Sequence, residues 1–269
     1  MKLYYITRVD ISSAAAQAIQ INSMCKAFSK IDVNFKLIST LPKNQIHVDF
    51  MWDRLEISSK FIYVEIVIRS LIKVFKGKPT HVFTRDIAVA FVLSFLKIKL
   101  IYEAHKQPKG KIASILTSYL CKRRNFKIVA ISQALSSYYI NNFQIKQNSI
   151  LTAHDGVFID KYDSLRVIPK KLLRKELNLP LDKTIVVHTG SLYKGNDAKL
   201  FKSILSNFKD ILFVQVGGSV EDIDRYKLYY REFNNIVFVR HQTVDNVIKY
   251  QLTADLLFYA LTKENNLWC

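Results

Sequence analysis

Two glycine-bearing segments have the residue types and order needed to handle a phosphorylated ligand. In HTGSLYKGND, residues 188–197, an apolar stretch ends at Thr189, Gly190 opens a turn, Lys194 and Gly195 follow, and a helix is predicted from about Ala198. Strand, glycine turn and helix start, in that order, aim backbone N–H groups and the positive end of a helix dipole at one place, which suits an anion. Lys194 adds a compact point charge for a phosphate. The same residues also make a plain strand-to-helix loop with a solvated lysine, and the pattern alone leaves both readings open. It is not a Walker loop, because G-x-x-x-x-G-K-[ST] is absent. The next apolar stretch closes similarly, in FVQVGGSVEDI (213–223) with Gly217–Gly218. There Glu221 and Asp222 equally suit ordinary compensation of a helix dipole.

Earlier in the chain, IYEAHKQPKG places Glu103 and His105 at the carboxyl end of a predicted strand. An imidazole there can donate to a sugar hydroxyl or carry a proton, or it can be purely structural. The six histidines show no HExxH or other metal-ligand spacing, so no metal site is expected. A GxSxG elbow is absent, and Cys25, Cys121 and Cys269 are scattered, as expected of reduced thiols in a cytosolic protein.

What must position these residues is an alternation of strands and helices. Among 269 residues, 49% are hydrophobic, enough for a sizeable buried core. Predicted strands at Met1–Thr7, Val33–Ser39, His81–Thr84, Leu100–Glu103, Lys127–Ile131 and Ser149–Thr152 are separated by predicted helices at Ser13–Lys30, Glu56–Phe75, Asp86–Leu96, Lys111–Arg123 and Gln133–Asn141. A charged stretch from Asp155 to Pro180 with one short helix forms a seam, and the alternation restarts at Thr184. Apolar strands joined through helices predict two Rossmann-like, doubly wound parallel-sheet domains, residues 1–165 and 166–269. The second is expected to be incomplete, because the sequence stops nine residues after a core-type strand with no covering helix.

Charge points to the partner. Lys and Arg number 40 against 22 Asp and Glu, a net +18, with a pI near 9.7. That favours an anionic partner: a phosphorylated substrate, an anionic leaflet or nucleic acid. RRM and zinc-finger signatures are absent, so nucleic acid is not expected. The N-terminus lacks a signal-peptide pattern, and the apolar runs 61–75 and 88–96 are respectively charged and short. A soluble or membrane-peripheral protein is expected. The basic helix Lys111–Arg123, with its stripe of Ile112, Ile115, Leu116, Tyr119 and Leu120, is either core-facing with a solvated face or a surface for anionic lipid.

In order along the chain, IYEAH (101–105), KIVAISQAL (127–135), ILTAHDGVFIDKYD (150–163), LRKELNLPLDKTIVVHTGSLYKG (173–195), FVQVGGSVEDI and the segment 235–261 form a specific set. The set resembles the bacterial glycosyltransferases of the GT-B fold, family four, also described as glycosyl transferases group 1. The resemblance implies a second domain that binds a nucleotide-diphosphate sugar and a first domain that binds the acceptor. Transfer would retain anomeric configuration, with no cofactor or required metal, at the cytoplasmic side or the inner face of the membrane. The implied acceptor is a surface polysaccharide or a lipid-linked glycan.

Position by position, Lys194 falls on the lysine that neutralises the donor diphosphate. Gly195 completes its Lys-Gly turn, and Gly190 and Gly217 fall on the phosphate-loop glycines. His105 falls near the transferred sugar. Ser191 stands where many members carry Arg, and Ile11-Ser12-Ser13-Ala14 stands where a Gly-Gly pair is common. Arg240-His241 replaces a small residue of the base pocket. The family's Glu, seven residues, Glu segment would begin near Asn266–Cys269, where the sequence given stops. A truncated chain with impaired transfer is therefore expected. The alternatives are a non-catalytic α/β protein that binds nucleotide or polyanion and, less favoured for want of acidic residues, a sugar-nucleotide epimerase.

Overall fold

The computed structural model describes residues 1–13, 15–31, 33–41, 45–56, 62–157, 159–190, 192 and 198–259. The chain divides into two compact units, one ending at Val157 and one holding every described residue after it.

The first unit runs β1 (Lys2–Ile6), α1 (Ala16–Ser29), β2 (Asn34–Thr40), β3 (Trp52–Leu55), α2 (Ile62–Gly77), β4 (His81–Thr84), α3 (Ile87–Leu93), β5 (Lys99–Ala104), α4 (Gly110–Cys121), β6 (Phe126–Ala130), α5 (Gln133–Phe143) and β7 (Ile150–Thr152). Its strands form one parallel sheet in the order β3-β2-β1-β4-β5-β6-β7. The strand order reverses between β1 and β4. Right-handed crossovers therefore place α1 on one face and α2 to α5 on the other. The alternating side chains of the strands follow that division. Leu3, Tyr5, Phe35, Leu37 and Phe83 pack with Ile21 and Cys25 of α1. Tyr4, Ile6, Val82, Leu100 and Ile128 point the other way, onto Ile66, Val89, Leu120 and Tyr139 of α2 to α5.

The second unit runs α6 (Ile159–Arg166), α7 (Lys170–Glu176), β8 (Thr184–Thr189), α8 (Ala198–Asn207), β9 (Ile211–Val216), α9 (Val220–Tyr229), β10 (Ile236–Val239), α10 (Val244–Thr253) and β11 (Leu256–Leu257). Its parallel sheet has the order β10-β9-β8-β11. Val186 and Phe213 join Phe201, Leu205, Ile223 and Tyr230 in one core, and Ile185, Val187 and Val214 join Leu179 and Tyr250 in the other. The protein is thus two doubly wound parallel sheets, as the alternation of apolar strands and helices predicts.

Three elements differ from the sequence reading. β3 is an extra edge strand. Its four residues include Asp53 and Arg54, with Arg54 lying 4.5 Å over the Trp52 ring, so no apolar alternation marks it. The charged seam holds two helices rather than one, because α6 buries none of its residues and carries no 3.6-residue apolar period. Residue 165, where the sequence reading divides the chain, falls inside α6. Finally, α4 turns Thr117 and Leu120 inward and leaves Ile112 and Ile115 exposed, so only part of its apolar stripe faces the core.

Candidate functional site

In the first unit the candidate groups sit at the carboxyl ends of β4 and β5, beside the reversal of strand order, where such sheets form clefts. β4 ends at Thr84. Arg85 follows, and Asp86 caps α3 by accepting from the backbone N–H of Ala88 at 2.9 Å and of Val89 at 3.3 Å. β5 delivers Glu103, which is buried, and then half-buried His105.

Arg85 meets the Glu103 carboxylate with two donors. Its Nε donates to Oε2, and its Nη2 donates to Oε1 at 3.1 Å. His105 Nε2 lies 3.3 Å from Glu103 Oε1 without the alignment of a hydrogen bond. Burial pushes the Glu103 carboxyl up, and contact with His105 and Arg85 more than offsets this, leaving it below the usual carboxylate range. Gln20 bridges onward, accepting from Arg85 Nη1 at 3.3 Å and donating to Asp155 Oδ2 at 2.6 Å. Thr7, Arg8, Arg85, Glu103, His105 and Lys106 border a pocket of about 100 Å³. Its floor is an ionised carboxylate already held by an arginine, and its rim is cationic. The cleft can therefore accept an anionic or polyhydroxyl ligand.

Glu103, His105 and Asp155 bring potential ligand atoms within 4.8 Å of one another. The Arg85 guanidinium on both Glu103 oxygens already supplies the positive charge a cation would bring, which weighs against a divalent ion. Cys25 and Cys121 are free thiols whose pKa burial pushes up, so neither is an activated nucleophile.

In the second unit β8 and β9 end side by side in glycines. The Gly190 N–H donates to Val216 O at 2.9 Å and the Gly217 N–H to Val239 O at 2.9 Å. Gly217 has φ +115°, and a Cβ there would lie 2.5 Å from Gly190 O, so only glycine lets the two turns approach this closely. A buried side-chain chain sets the position of Gly190. His188 Nδ1 is 2.6 Å from Gln215 Oε1, and Gln215 Nε2 donates to Gly190 O at 2.9 Å. With its NH₂ committed to a carbonyl, Gln215 offers its oxygen to the imidazole, which assigns the proton to Nδ1. Burial lowers the His188 pKa against a smaller opposing effect of Gln215, keeping the ring neutral. Tyr259 stacks on that ring at 5.4 Å.

Of the sequence-predicted residues, the structure places His105 beside Glu103 and sets Gly190 against Gly217. Ser191, Lys194 and Gly195 lie outside the described residues. Arg85 and the His188–Gln215 pair escaped the sequence reading. Arg85 directly follows a strand, a position shared with other site residues of this fold class. Gln215 is a polar residue inside an otherwise apolar strand, and that was the available signal.

No protein-family model matches the sequence, and no curated protein matches it. Solved structures do share the fold. Sucrose-phosphate synthase from Thermosynechococcus elongatus superposes with a TM-score of 0.75 at 13% identity, over 95% of this chain and 74% of that one. Anabaena HepE in complex with UDP and glucose gives 0.72 at 14% identity, over 96% and 73%. A UDP-GlcNAc 2-epimerase from Neisseria meningitidis, bound to UDP-GlcNAc, gives 0.64 at 14% identity, over 96% and 76%. The chain has the α/β fold of the GT-B glycosyltransferases.

Proposed function

We propose that the protein is a retaining glycosyltransferase of family four that moves a sugar from a nucleotide-diphosphate donor to a lipid-linked or surface-polysaccharide acceptor. The observation that carries this reading is the paired turn at Gly190 and Gly217, held by Gln215, at the carboxyl ends of adjacent parallel strands. Backbone N–H groups that follow such a turn suit a diphosphate, fold neighbours with these sheets include glycosyltransferases, and one neighbour holds UDP and glucose. In transfer, the bond from the sugar's anomeric carbon to the diphosphate oxygen breaks. A new bond forms to an acceptor oxygen, whose proton is released. Lys194 meets the charge that grows on the leaving diphosphate, with no metal required, and His105 hydrogen-bonds the transferred sugar. The donor is a substrate, and no cofactor takes part. The enzyme works in the cytoplasm, at the inner face of the membrane.

The test is Lys194→Ala in transfer and binding assays with nucleotide-diphosphate sugars. Transfer should fall by about a hundredfold or more while nucleoside-diphosphate affinity falls only about tenfold, because the lysine acts mainly on the transition state. Equal losses in both assays would favour a non-catalytic nucleotide-binding protein. Epimerisation of UDP-GlcNAc by the wild-type chain would replace transfer with the chemistry of the epimerase neighbour.

A further inference from the structure

A turn that binds a diphosphate must keep its carbonyl oxygens turned away from the anion. Among the described residues of the turn after β8, two carbonyls are held by side-chain donors. Gln215 Nε2 donates to Gly190 O at 2.9 Å, and Arg225 Nη2, from α9, donates to Leu192 O at 3.3 Å. In a trans peptide the N–H points opposite to the C=O, so a carbonyl fixed on the protein side turns the N–H of its peptide the other way. Successive N–H groups presented like this make an anion-binding concavity. Gln215 belongs to the glycine pairing described above. Arg225 lies outside it, on the next helix.

Leu192 gives Arg225 a firm point to act on. Its side chain is fully buried with Phe201, Phe213 and Ile223. It also fills the space beside Gly218, where a Cβ would lie 3.2 Å from Leu192 Cδ1. A buried side chain fixes where the residue sits but leaves its peptide plane free to tilt, and the bond to Arg225 removes that freedom. Arg225 is itself held. Asp222 Oδ1 accepts from the same Nη2 at 2.7 Å, and Ser219 Oγ accepts from the Asp222 N–H at 3.1 Å where α9 begins. The charge of the arginine is therefore paired within α9, and what it gives the turn is a donor in a fixed place.

We propose that Arg225 is a positioning residue for the donor. It keeps the Leu192 carbonyl turned toward α9, so that the turn after Gly190 presents N–H groups rather than carbonyl oxygens to the diphosphate. The assignment rests on the donor-binding role proposed for the glycine turns and adds to it a residue that acts through Leu192.

The experiment measures UDP and UMP affinities of the full chain. Wild type should prefer UDP, and Arg225→Ala should lower UDP affinity about tenfold but UMP affinity less than about twofold. The Arg225 side chain is 52% exposed, so its removal leaves no cavity and the urea-unfolding midpoint should stay close to that of wild type. Lys227→Ala, which removes an exposed charge from the same helix, should change neither affinity. Leu192→Ala should also weaken UDP binding, and joining it to Arg225→Ala should add little, because both changes release one carbonyl. Leu192→Val repeats that cycle with a smaller loss of packing if the alanine variant does not fold. Losses that multiply in the double variant would mean that Arg225 acts independently of Leu192, and would overturn the proposal. So would equal losses for UDP and UMP, a matching loss in Lys227→Ala, or an undiminished UDP preference in Arg225→Ala, all of which leave the glycine turns as the diphosphate site. A wild type that binds UDP no better than UMP would instead overturn that site and this proposal together.

Discussion

Arg85 and Glu103 each justify the other's burial. Removing the guanidinium strands a carboxylate in the core, whereas removing both charges strands nothing. Arg85→Ala should therefore destabilise the first unit by about 3–5 kcal/mol. Adding Glu103→Gln to that background should recover a large part of the loss, read as urea-unfolding midpoints. Independent, additive losses would show that the pair does not interact. Gly217 invites a sharper contrast. At φ +115° and 2.5 Å from Gly190 O, a Cβ must displace backbone, so Gly217→Ala should cost about 2 kcal/mol or more and weaken nucleoside-diphosphate binding. Gly156→Ala, where a Cβ meets nothing within 4 Å, should leave both unchanged within error. The importance of Gly217 is legible in a sequence with seven glycines, because scarce glycines mark backbone needs. The partnership of Arg85 with Glu103 is not legible. It joins residues 18 apart through the adjacency of β4 and β5, which depends on strand order rather than on local pattern.

At the scale of elements, Asp255 fastens α7 to the second sheet. Its Oδ2 accepts from the Ile185 N–H at 2.7 Å and from Arg174 Nη2 at 2.6 Å, and its Oδ1 accepts from Lys170 Nζ at 2.6 Å. Arg174 is buried and also donates to the carbonyls of Thr253 and Lys183. Burial pushes the Asp255 carboxyl up, but the bonds from Lys170, the Ile185 N–H and Arg174 bring it down to about 2. A depressed carboxyl contributes stability above its unfolded value, about 3.9, and loses it as pH falls through its folded value. Asp255→Asn should cost about 1–3 kcal/mol at neutral pH, with the difference from wild type shrinking between about pH 4 and pH 2. A constant difference across that window would sink the assignment. Elements with apolar periods, such as α1 with Ile21 and Cys25 inward or β8 with Val186 and Val187 on opposite faces, were readable from the sequence. β3 and α6 were not, since neither has a buried apolar stripe to announce it. The outward turn of Ile112 and Ile115 was left open for the opposite reason, since an apolar stripe in a sequence looks the same whether it faces a core or the outside.

For the whole molecule, two sheets with separate cores should answer to acid differently, and the titrating groups say how. His188 is neutral in the folded second unit because burial lowers its pKa, and it sits between Gln215 and the Tyr259 ring. A group whose folded pKa is depressed contributes stability above its unfolded value, about 6.5 for histidine, and loses it as pH falls through the folded value. In the first unit His81 is lowered in the same direction, by burial and then by Lys99, yet it occupies the half-exposed start of β4, where solvent softens the effect. Glu103 is lowered too, but as a carboxyl it releases its contribution only in a more acidic range. Between about pH 7 and pH 5, therefore, the second unit should lose stability more steeply than the first, by at most about 1.4 kcal/mol per pH unit from His188. Hydrogen exchange reads each unit from its own amides, in β8 and β9 against β4 and β5. The protected amides around Gly190 should open first on acidification. His188→Gln keeps a donor for Gln215 and cannot titrate, so it should flatten the pH dependence in the second unit and leave the first untouched. If wild type and His188→Gln lose protection in β8 and β9 in parallel, the buried imidazole is not what couples the glycine turns to pH.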